Sequence, residues 1–238
     1  MGKKFEKALQ SLIDAVPTDL QDQVKHDIDS LLMAGARSFN TLLEIPQNQY
    51  ISIDIRVTAC WALGRLCDKR AVTVLLNVLN SQDVRLCQEA AKSLGILKSK
   101  RAVKPLITAL LNNTSIERRA AYAYALGLLH DKSAIEPLLT VLNNKKEEPE
   151  VRGFAAEALA RLGDYRVVNH LIEGLKDSSV EVRFWSVFAL GKIGDQRALP
   201  ELKRIASQDK AVLSGWWEIS KEATEAIEQI RSRSCQLD

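Results

Sequence analysis

Apolar residues recur at steps of three and four along most of the chain, which is the pattern of an amphipathic α-helix. The stretch 180–202, VEVRFWSVFALGKIGDQRALPEL, shows it most clearly. The positions that share one side of this predicted helix are Val182, Ser186, Ala189, Leu190 and Ile193. Gly194 follows as a residue that readily adopts the left-handed end of a helix, and Asp195 is a good cap for the next helix. The pattern therefore predicts two helices joined by a tight turn.

The same helix–turn–helix pattern recurs from residue 55 almost to the end of the chain. The predicted capping residues after the turns are Asp68, Ser99, Asp131, Asp164 and Asp195. Successive members of this set are 31, 32, 33 and 31 residues apart. Such a period is typical of a solenoid, in which each unit buries its apolar face only against its neighbours. The sequence thus predicts an all-α solenoid.

The repeat units read as DxRAVxPLIxxL followed by VRxxAAxALGxIGD, and in this they resemble the HEAT-like repeats of the phycobilisome lyase type. Five units carry the pattern, over roughly three quarters of the chain. That class includes bilin lyase subunits, proteins that promote phycobilisome breakdown, and adaptors without chemistry of their own. The resemblance implies an all-α fold in the form of a right-handed alpha-alpha superhelix, that is, a HEAT-like solenoid. It also implies one of these functions.

We expect a single repeat domain over residues 1–238. It divides into an N-terminal helical cap (1–45), five repeats (46–206) and a C-terminal cap helix (207–238), because the ends of a repeat array need a polar outer face. The connections that depart from the repeat are 45–54, 112–115, 143–150 and 207–217, and all four precede the second helix of a unit.

Three further expectations concern local structure. Pro105, Pro137 and Pro200 are predicted to bend the first helices, because proline removes a helix hydrogen bond. At least one of Trp216 and Trp217 is predicted to pack on the 198–207 helix and hold the last helix, residues 219–230, in place. The tail from Ser232 is predicted to be loose.

Most second helices begin with an arginine. These residues are Arg56, Arg119, Arg152 and Arg183. In HEAT repeats such an arginine meets an aspartate six residues earlier, and here only Asp177 before Arg183 keeps that spacing. Elsewhere the guanidinium is predicted to bind turn carbonyls, which is a structural role.

Reactive side chains show no catalytic or metal-binding motif. His26, His130 and His170 are scattered, so no catalytic residue and no metal site is predicted. The cysteines, which are Cys60, Cys67, Cys87 and Cys235, lack zinc-site spacing. We interpret them as buried reduced thiols, with a metal or iron-sulfur role as the alternative.

Charge and hydropathy narrow the choice of partner and compartment. The net charge is +3 and the basic residues are interspersed with acids, so nucleic acid is not an expected partner. No signal peptide or membrane span is recognisable, so a cytoplasmic protein without a membrane partner is expected.

Aromatic residues recur two and six positions into the second helices. The pairs at these positions are Val57 and Trp61, Gln88 and Lys92, Ala120 and Tyr124, Gly153 and Glu157, and Phe184 and Phe188. They are predicted to face away from the first helices, on the concave wall, unless neighbouring layers cover them. The expected partner-binding residues are Trp61, Tyr124, Phe184, Trp185 and Phe188, with Arg65 and Lys92 as nearby cations.

Two hypotheses follow. The first is a non-catalytic scaffold or adaptor that binds a partner protein through this wall, since aromatic residues dominate binding hot spots. The alternative rests on the resemblance and is a lyase-type subunit, which handles a bilin chromophore on phycobiliproteins. Arg65 and Lys92 would then meet the bilin propionates. The expected partner is a phycobiliprotein or a second HEAT-like chain, and a bilin is the one ligand considered.

Overall fold

A computed structural model describes residues 3–234 of the chain. Within this range the structure holds fourteen α-helices and no β-strand, apart from an isolated bridge between Val212 and Glu218. The predicted all-α repeat fold is therefore confirmed. Cys235 and the last part of the predicted loose tail lie outside the described residues, but the last helix continues through Ser232 to Ser234.

The chain forms two compact units, Met1–Pro105 and Leu106–Asp238. The first unit begins with three helices that precede the first repeat, and α4 and α6 are its second helices. Its helices are α1 (Lys3–Asp14), α2 (Thr18–Met33), α3 (Phe39–Glu44), α4 (Ile53–Arg65), α5 (Ala71–Val78) and α6 (Val84–Ile96). Helix α4 packs directly on α6, so second helices form one layer of this unit.

The second unit continues the alternation of first and second helices. Its helices are α7 (Val103–Asn112, of which residues 103–105 belong to the first unit), α8 (Ile116–Leu129), α9 (Ile135–Asn143), α10 (Pro149–Leu162), α11 (Val168–Gly174), α12 (Val180–Ile193), α13 (Leu199–Gln208) and α14 (Ile219–Ser234). The second helices stack in the order α8, α10, α12 and α14. All four irregular connections precede a second helix, as predicted.

Glycines in the second helices let the layers approach closely. A Cβ atom on Gly127 of α8 would lie 2.8 Å from the Cα of Ala158 in α10, and one on Gly191 of α12 would lie 2.9 Å from the Cα of Ala226 in α14. Real side chains do not tolerate such distances, because protein interiors are close-packed. The glycine of the ALG motif is thus needed for layer spacing.

Each turn between paired helices contains one residue with positive φ. These residues are Cys67 (54°), Lys98 (48°), His130 (52°), Gly163 (62°) and Gly194 (84°). The predicted caps Asp68, Asp131, Asp164 and Asp195 each accept a hydrogen bond from the backbone N–H two residues later. Ser99 makes no such side-chain bond, so the prediction fails at that turn.

The prolines of the first helices follow a short 3-10 turn, and the predicted bend at these residues stays a prediction. The three helices that contain them start with this turn, at residues 100–102, 132–134 and 196–198. Pro105, Pro137 and Pro200 then fall in the first turn of the α-helical part. Proline is tolerated there because N–H groups in a first turn have no partner within the helix.

The arginines at the second helices form a ladder, in which the predicted Asp177–Arg183 side-chain pair does not occur. The Nε atoms of Arg119 and Arg152 donate to the carbonyls of Leu110 (2.8 Å) and Leu142 (2.9 Å), as predicted for turn carbonyls. The Asp177 side chain, however, pairs with Arg152 of the preceding repeat, whereas Arg183 donates to the backbone carbonyl of Asp177 and pairs with the carboxylate of Asp209. The ladder therefore links successive repeats.

Candidate functional site

The second unit contains a cluster of five aromatic rings on α12 and on the connection before α14. Trp185 lies 5.4 Å from Phe184, 5.5 Å from Phe188 and 5.2 Å from Trp216, measured between ring centroids. Trp217 stacks edge-on at 5.5 Å from Trp216. We call Trp185, Phe188, Trp216 and Trp217 the aromatic surface.

Phe184 is the floor of this cluster. It is fully buried beneath Trp216 and Trp217, at centroid distances of 5.4 and 6.2 Å. Trp185 is 8% exposed, whereas Trp216 and Trp217 are 44% and 41% exposed. The expectation that Phe184 and Trp185 themselves face solvent is corrected, because the 209–218 connection covers them and presents its own two tryptophans.

The two tryptophans make ring contacts with α12, a helix that the prediction did not name. These contacts are with Phe184 and Trp185. Packing of either tryptophan on the 198–207 helix stays a prediction. The indole Nε1 of Trp217 donates to the Glu222 carboxylate of α14 at 2.9 Å. Burial raises the pKa of Glu222, and the Trp217 bond partly opposes that shift. The pair therefore bridges α12 and the start of α14.

The base of the aromatic surface is shaped by Gly153 and Asp209. A Cβ atom on Gly153 of α10 would lie 2.8 Å from Cδ1 of Trp185, so the indole occupies the space that a larger residue would fill. The Asp209 carboxylate accepts from Arg183 Nε at 2.6 Å and also from the Ala211 N–H at 3.1 Å. These bonds fix the start of the connection that carries the tryptophans.

Tyr124 lies on α8 of the same unit with a separate ring partner. It is half-buried and meets Phe154 edge-on at 6.3 Å, while Arg161 stacks over its ring at 5.1 Å. Arg161 in turn pairs with the buried Glu157 at 2.6 Å. Glu157 and Ala120 were predicted to face outward, but both are buried because adjacent second helices cover them.

Trp61, Arg65 and Lys92 come together in the first unit. The Arg65 guanidinium lies 4.6 Å from the Trp61 ring centroid. Burial raises the pKa of the Glu89 carboxyl. The positive charges of Lys92 and Arg65 lower it, but to a smaller extent. Within residues 3–234, Arg65 Nη1 and Glu89 Oε1 are buried without a hydrogen-bond partner. Sequence reasoning missed Glu89, although its position three residues before Lys92 on one helix face was a signal.

Of the three described cysteines, two are buried and one is exposed. Burial raises the pKa of the Cys60 thiol, and Cys87 is also buried, as predicted. Cys67 is exposed, contrary to expectation, because it occupies the left-handed turn position. Across the described part of the chain, no three His, Cys, Asp or Glu side chains are arranged to hold a metal ion. No described helix has the length and apolar character needed to cross a membrane.

Solved structures with a similar fold share little sequence. The complex of CpcE and CpcF of phycocyanin lyase from Nostoc sp. PCC7120 gives a TM-score of 0.53 at 22% identity, over 95% of this chain and 93% of that chain. YibA of Escherichia coli gives 0.56 at 18% identity, over 95% and 82%. A designed armadillo repeat protein in complex with the peptide (KR)4 gives 0.52 at 18% identity, over 79% and 99%. A comparison with curated proteins found no match.

The repeat family is identified from the sequence itself. The family model for HEAT repeats matches three overlapping stretches, residues 51–127, 103–181 and 135–220. Together they span more than half of the chain, including the helix pairs and turns described above. The chain therefore belongs to the HEAT repeat family.

Proposed function

We propose that this protein is an interaction scaffold that binds a partner protein through the aromatic surface of its second unit. The observation that carries this proposal is the exposure of Trp216 (44%) and Trp217 (41%) on a buried aromatic floor. Large exposed apolar patches mark interaction sites, and tryptophan is enriched in binding hot spots. The rings are held by Glu222 and by α12, so they are preorganised for a partner.

The charges around the aromatic surface favour a protein partner. Lys192 lies 5.3 Å from the Phe188 ring centroid, and the half-buried Glu181 borders Gly153. Desolvation raises the pKa of Glu181, with a smaller contribution from Glu150. A surface bordered by both a cation and a carboxylate is unsuited to a phosphate backbone, which needs a one-sided basic stripe. By fold likeness to the CpcE and CpcF complex, a second HEAT-like chain or a phycobiliprotein is the partner to test first.

The test is quantitative capture of purified candidate partners. The chain is immobilised and exposed to phycobiliprotein subunits and to HEAT-like chains, with Trp216→Ala/Trp217→Ala as the variant. We expect at least about a tenfold loss of affinity, because hot-spot truncations cost about 2 kcal/mol or more. Tyr165→Ala is the matched control, since Tyr165 is 61% exposed in the same unit but outside the aromatic cluster. Equal binding by both variants would disprove the assignment of this surface.

The same double variant needs a folding control. Removing both indoles also removes the Trp217–Glu222 bond, so amide exchange should accelerate across residues 223–230 of α14. Exchange across residues 120–128 of α8 should not change. If exchange in α8 also accelerated, the loss of binding would reflect unfolding and the capture result would not support the surface.

A second candidate function is a lyase-type subunit that holds an open-chain tetrapyrrole. The observation that favours it is the grouping of Trp61, Arg65 and Lys92, an aromatic ring with two cations, in the first unit. Propionates pair well with such cations, although Glu89 already neutralises part of their charge. Visible absorbance of phycocyanobilin mixed with the chain tests this candidate. A red-shifted spectrum that is lost in Trp61→Ala supports it, and an unchanged spectrum at micromolar protein eliminates it.

A further inference from the structure

Three arginines of the second unit share one position and one kind of partner. Each stands four residues after the N-cap of its helix and binds a carboxylate from the connection before the next second helix. The pairs are Arg119 with Glu147, Arg152 with Asp177, and Arg183 with Asp209. The central pair is almost completely enclosed, because Arg152 is 3% and Asp177 is 5% exposed. We call each such pair a rung.

Arg56 of α4 has the position and the backbone hydrogen bond of a rung arginine, but it lacks the carboxylate partner. It stands four residues after the N-cap Ser52, and its Nε donates to the carbonyl of Pro46 at 2.9 Å, as Arg152 does to Leu142. Among residues 3–234 no carboxylate pairs with its guanidinium. The half-buried Arg56 side chain therefore carries a charge that has no ion-pair partner in the described part of the chain.

The carboxylate is missing at Arg56 because Ser81 occupies the turn position that Asp177 occupies in the Arg152 rung. Ser81 Oγ accepts from the N–H of Asp83 at 3.2 Å, just as Asp177 Oδ1 accepts from the N–H of Ser179 at 3.0 Å. The turn is the same, but serine is shorter than aspartate and carries no charge. The neighbouring Asp83 is engaged as the N-cap of α6, accepting from the Leu86 N–H at 3.0 Å.

The cleft beside Arg56 is larger than the clefts beside the arginines that have a carboxylate partner. The cleft lined by Arg56 and Ser81 has a volume of about 720 Å³. The corresponding clefts at Arg152 and Arg183 measure about 300 Å³ each. The Arg56 cleft is also lined by the amide side chains Gln47 and Asn77, which bond each other at 3.3 Å. It is therefore both larger and rich in hydrogen-bonding groups.

We propose that the Arg56 cleft is a docking site for an acidic side chain, Asp or Glu, of a partner polypeptide. The entering carboxylate completes the rung by pairing with the Arg56 guanidinium, as the chain's own carboxylates do at Arg119, Arg152 and Arg183. The planar fork of arginine suits a carboxylate. Asp83 at the edge of the cleft disfavours a dianionic phosphate more than a monoanionic carboxylate. This site lies in the first unit, so it is separate from the aromatic surface and does not depend on it.

The probe is a peptide that copies the chain's own rung segment. The sequence Gly-Leu-Lys-Asp-Ser-Ser-Val, from residues 174–180, is acetylated and amidated, and a second peptide carries Asn in place of Asp. Both are titrated into full-length chain labelled with ¹⁵N-arginine, and the Nε–Hε resonance of Arg56 is followed. We expect saturable movement of this resonance with the acidic peptide and about tenfold weaker binding of the Asn peptide. The resonances of Arg152 and Arg183 are internal controls that stay in place.

Two variants at one position separate docking from general attraction. Ser81→Asp supplies the missing carboxylate from the chain itself, so it should reduce peptide binding at least about tenfold and raise the melting temperature. Ser81→Asn is the matched control, which keeps the turn and the polarity, and it should bind the peptide like the parent chain. Equal binding of both peptides, or undiminished binding by Ser81→Asp, would overturn the proposal. Tighter binding of the same peptide with phosphoserine in place of Asp would overturn the carboxylate assignment.

Discussion

Replacing Asp177 by Asn tests the repeat-to-repeat ladder most directly. The Asp177 carboxylate accepts hydrogen bonds from Arg152, Lys145 and the Ser179 N–H. Burial opposes ionisation of Asp177, but these bonds outweigh it and hold the pKa of the carboxyl below its usual range. The substitution keeps the size of the side chain and removes its charge, so Arg152 is left buried without a counter-ion.

The expected loss of stability is about 3 kcal/mol. Breaking a buried ion pair from one side typically costs about 3–5 kcal/mol, because the remaining charge is not compensated. The lower end applies here, since the amide oxygen of Asn still accepts from the Ser179 N–H and from one guanidinium nitrogen. The matched control is Asp195→Asn, which changes an aspartate with the same turn bond but a half-exposed partner, Arg197 (51% exposed side chain). It should cost less than about 1 kcal/mol.

The assay is urea unfolding followed by tryptophan fluorescence in a Trp61→Phe background. With Trp61 removed, the three remaining tryptophans all lie in the second unit, so the signal reports on the unit that contains the mutation. Linear extrapolation then gives the free energy of unfolding of this unit. A loss below about 1 kcal/mol at neutral pH would refute the reasoning, because the pair would then behave as a surface ion pair.

The pH dependence supplies an independent check. Because the folded-state pKa of Asp177 is depressed, its contribution is fully present above the unfolded-state value of about 3.9 and is lost as the pH falls toward the folded-state value. The difference in unfolding free energy between parent and Asp177→Asn should therefore be constant between about pH 7 and 5 and shrink below about pH 4. A difference that did not change down to about pH 2 would contradict an ionised Asp177.

Three further substitutions have defined outcomes. Gly127→Ala should cost about 1–3 kcal/mol in thermal unfolding, because the added Cβ would lie 2.8 Å from the Cα of Ala158. Lys98→Gly should stabilise by about 0.5–1 kcal/mol in urea titration, because Lys98 holds φ at 48°. Glu89→Gln should raise the melting temperature at neutral pH but not near pH 4. Burial raises the folded-state pKa of Glu89, so the ionised carboxylate destabilises the fold, and this loss of stability is present only above the unfolded-state pKa. An unchanged melting temperature for Glu89→Gln at neutral pH would contradict that penalty.

The sequence alone determined the repeat, the helix pairs and the turns. These features depend on interactions between residues a few positions apart. The period of apolar residues places helices, and residues such as Asp195 and Gly194 cap and end them through their own backbone contacts. The same short-range interactions recur in every unit, so the helices and turn read from residues 180–202 predicted those of the other units.

Only the tertiary structure decided which side chains form the candidate sites. The Asp177 carboxylate could have paired with Arg183, six residues later, but stacking of the repeats brings it to Arg152. Trp216 belongs to an irregular connection with no repeat to predict its course, and only the fold shows that it covers Phe184. Contacts between residues far apart in sequence depend on how layers pack, which a pattern within one unit does not contain. The helices and turns of this protein are thus set by short-range patterns, whereas its exposed aromatic surface and the incomplete rung at Arg56 are set by packing between repeats.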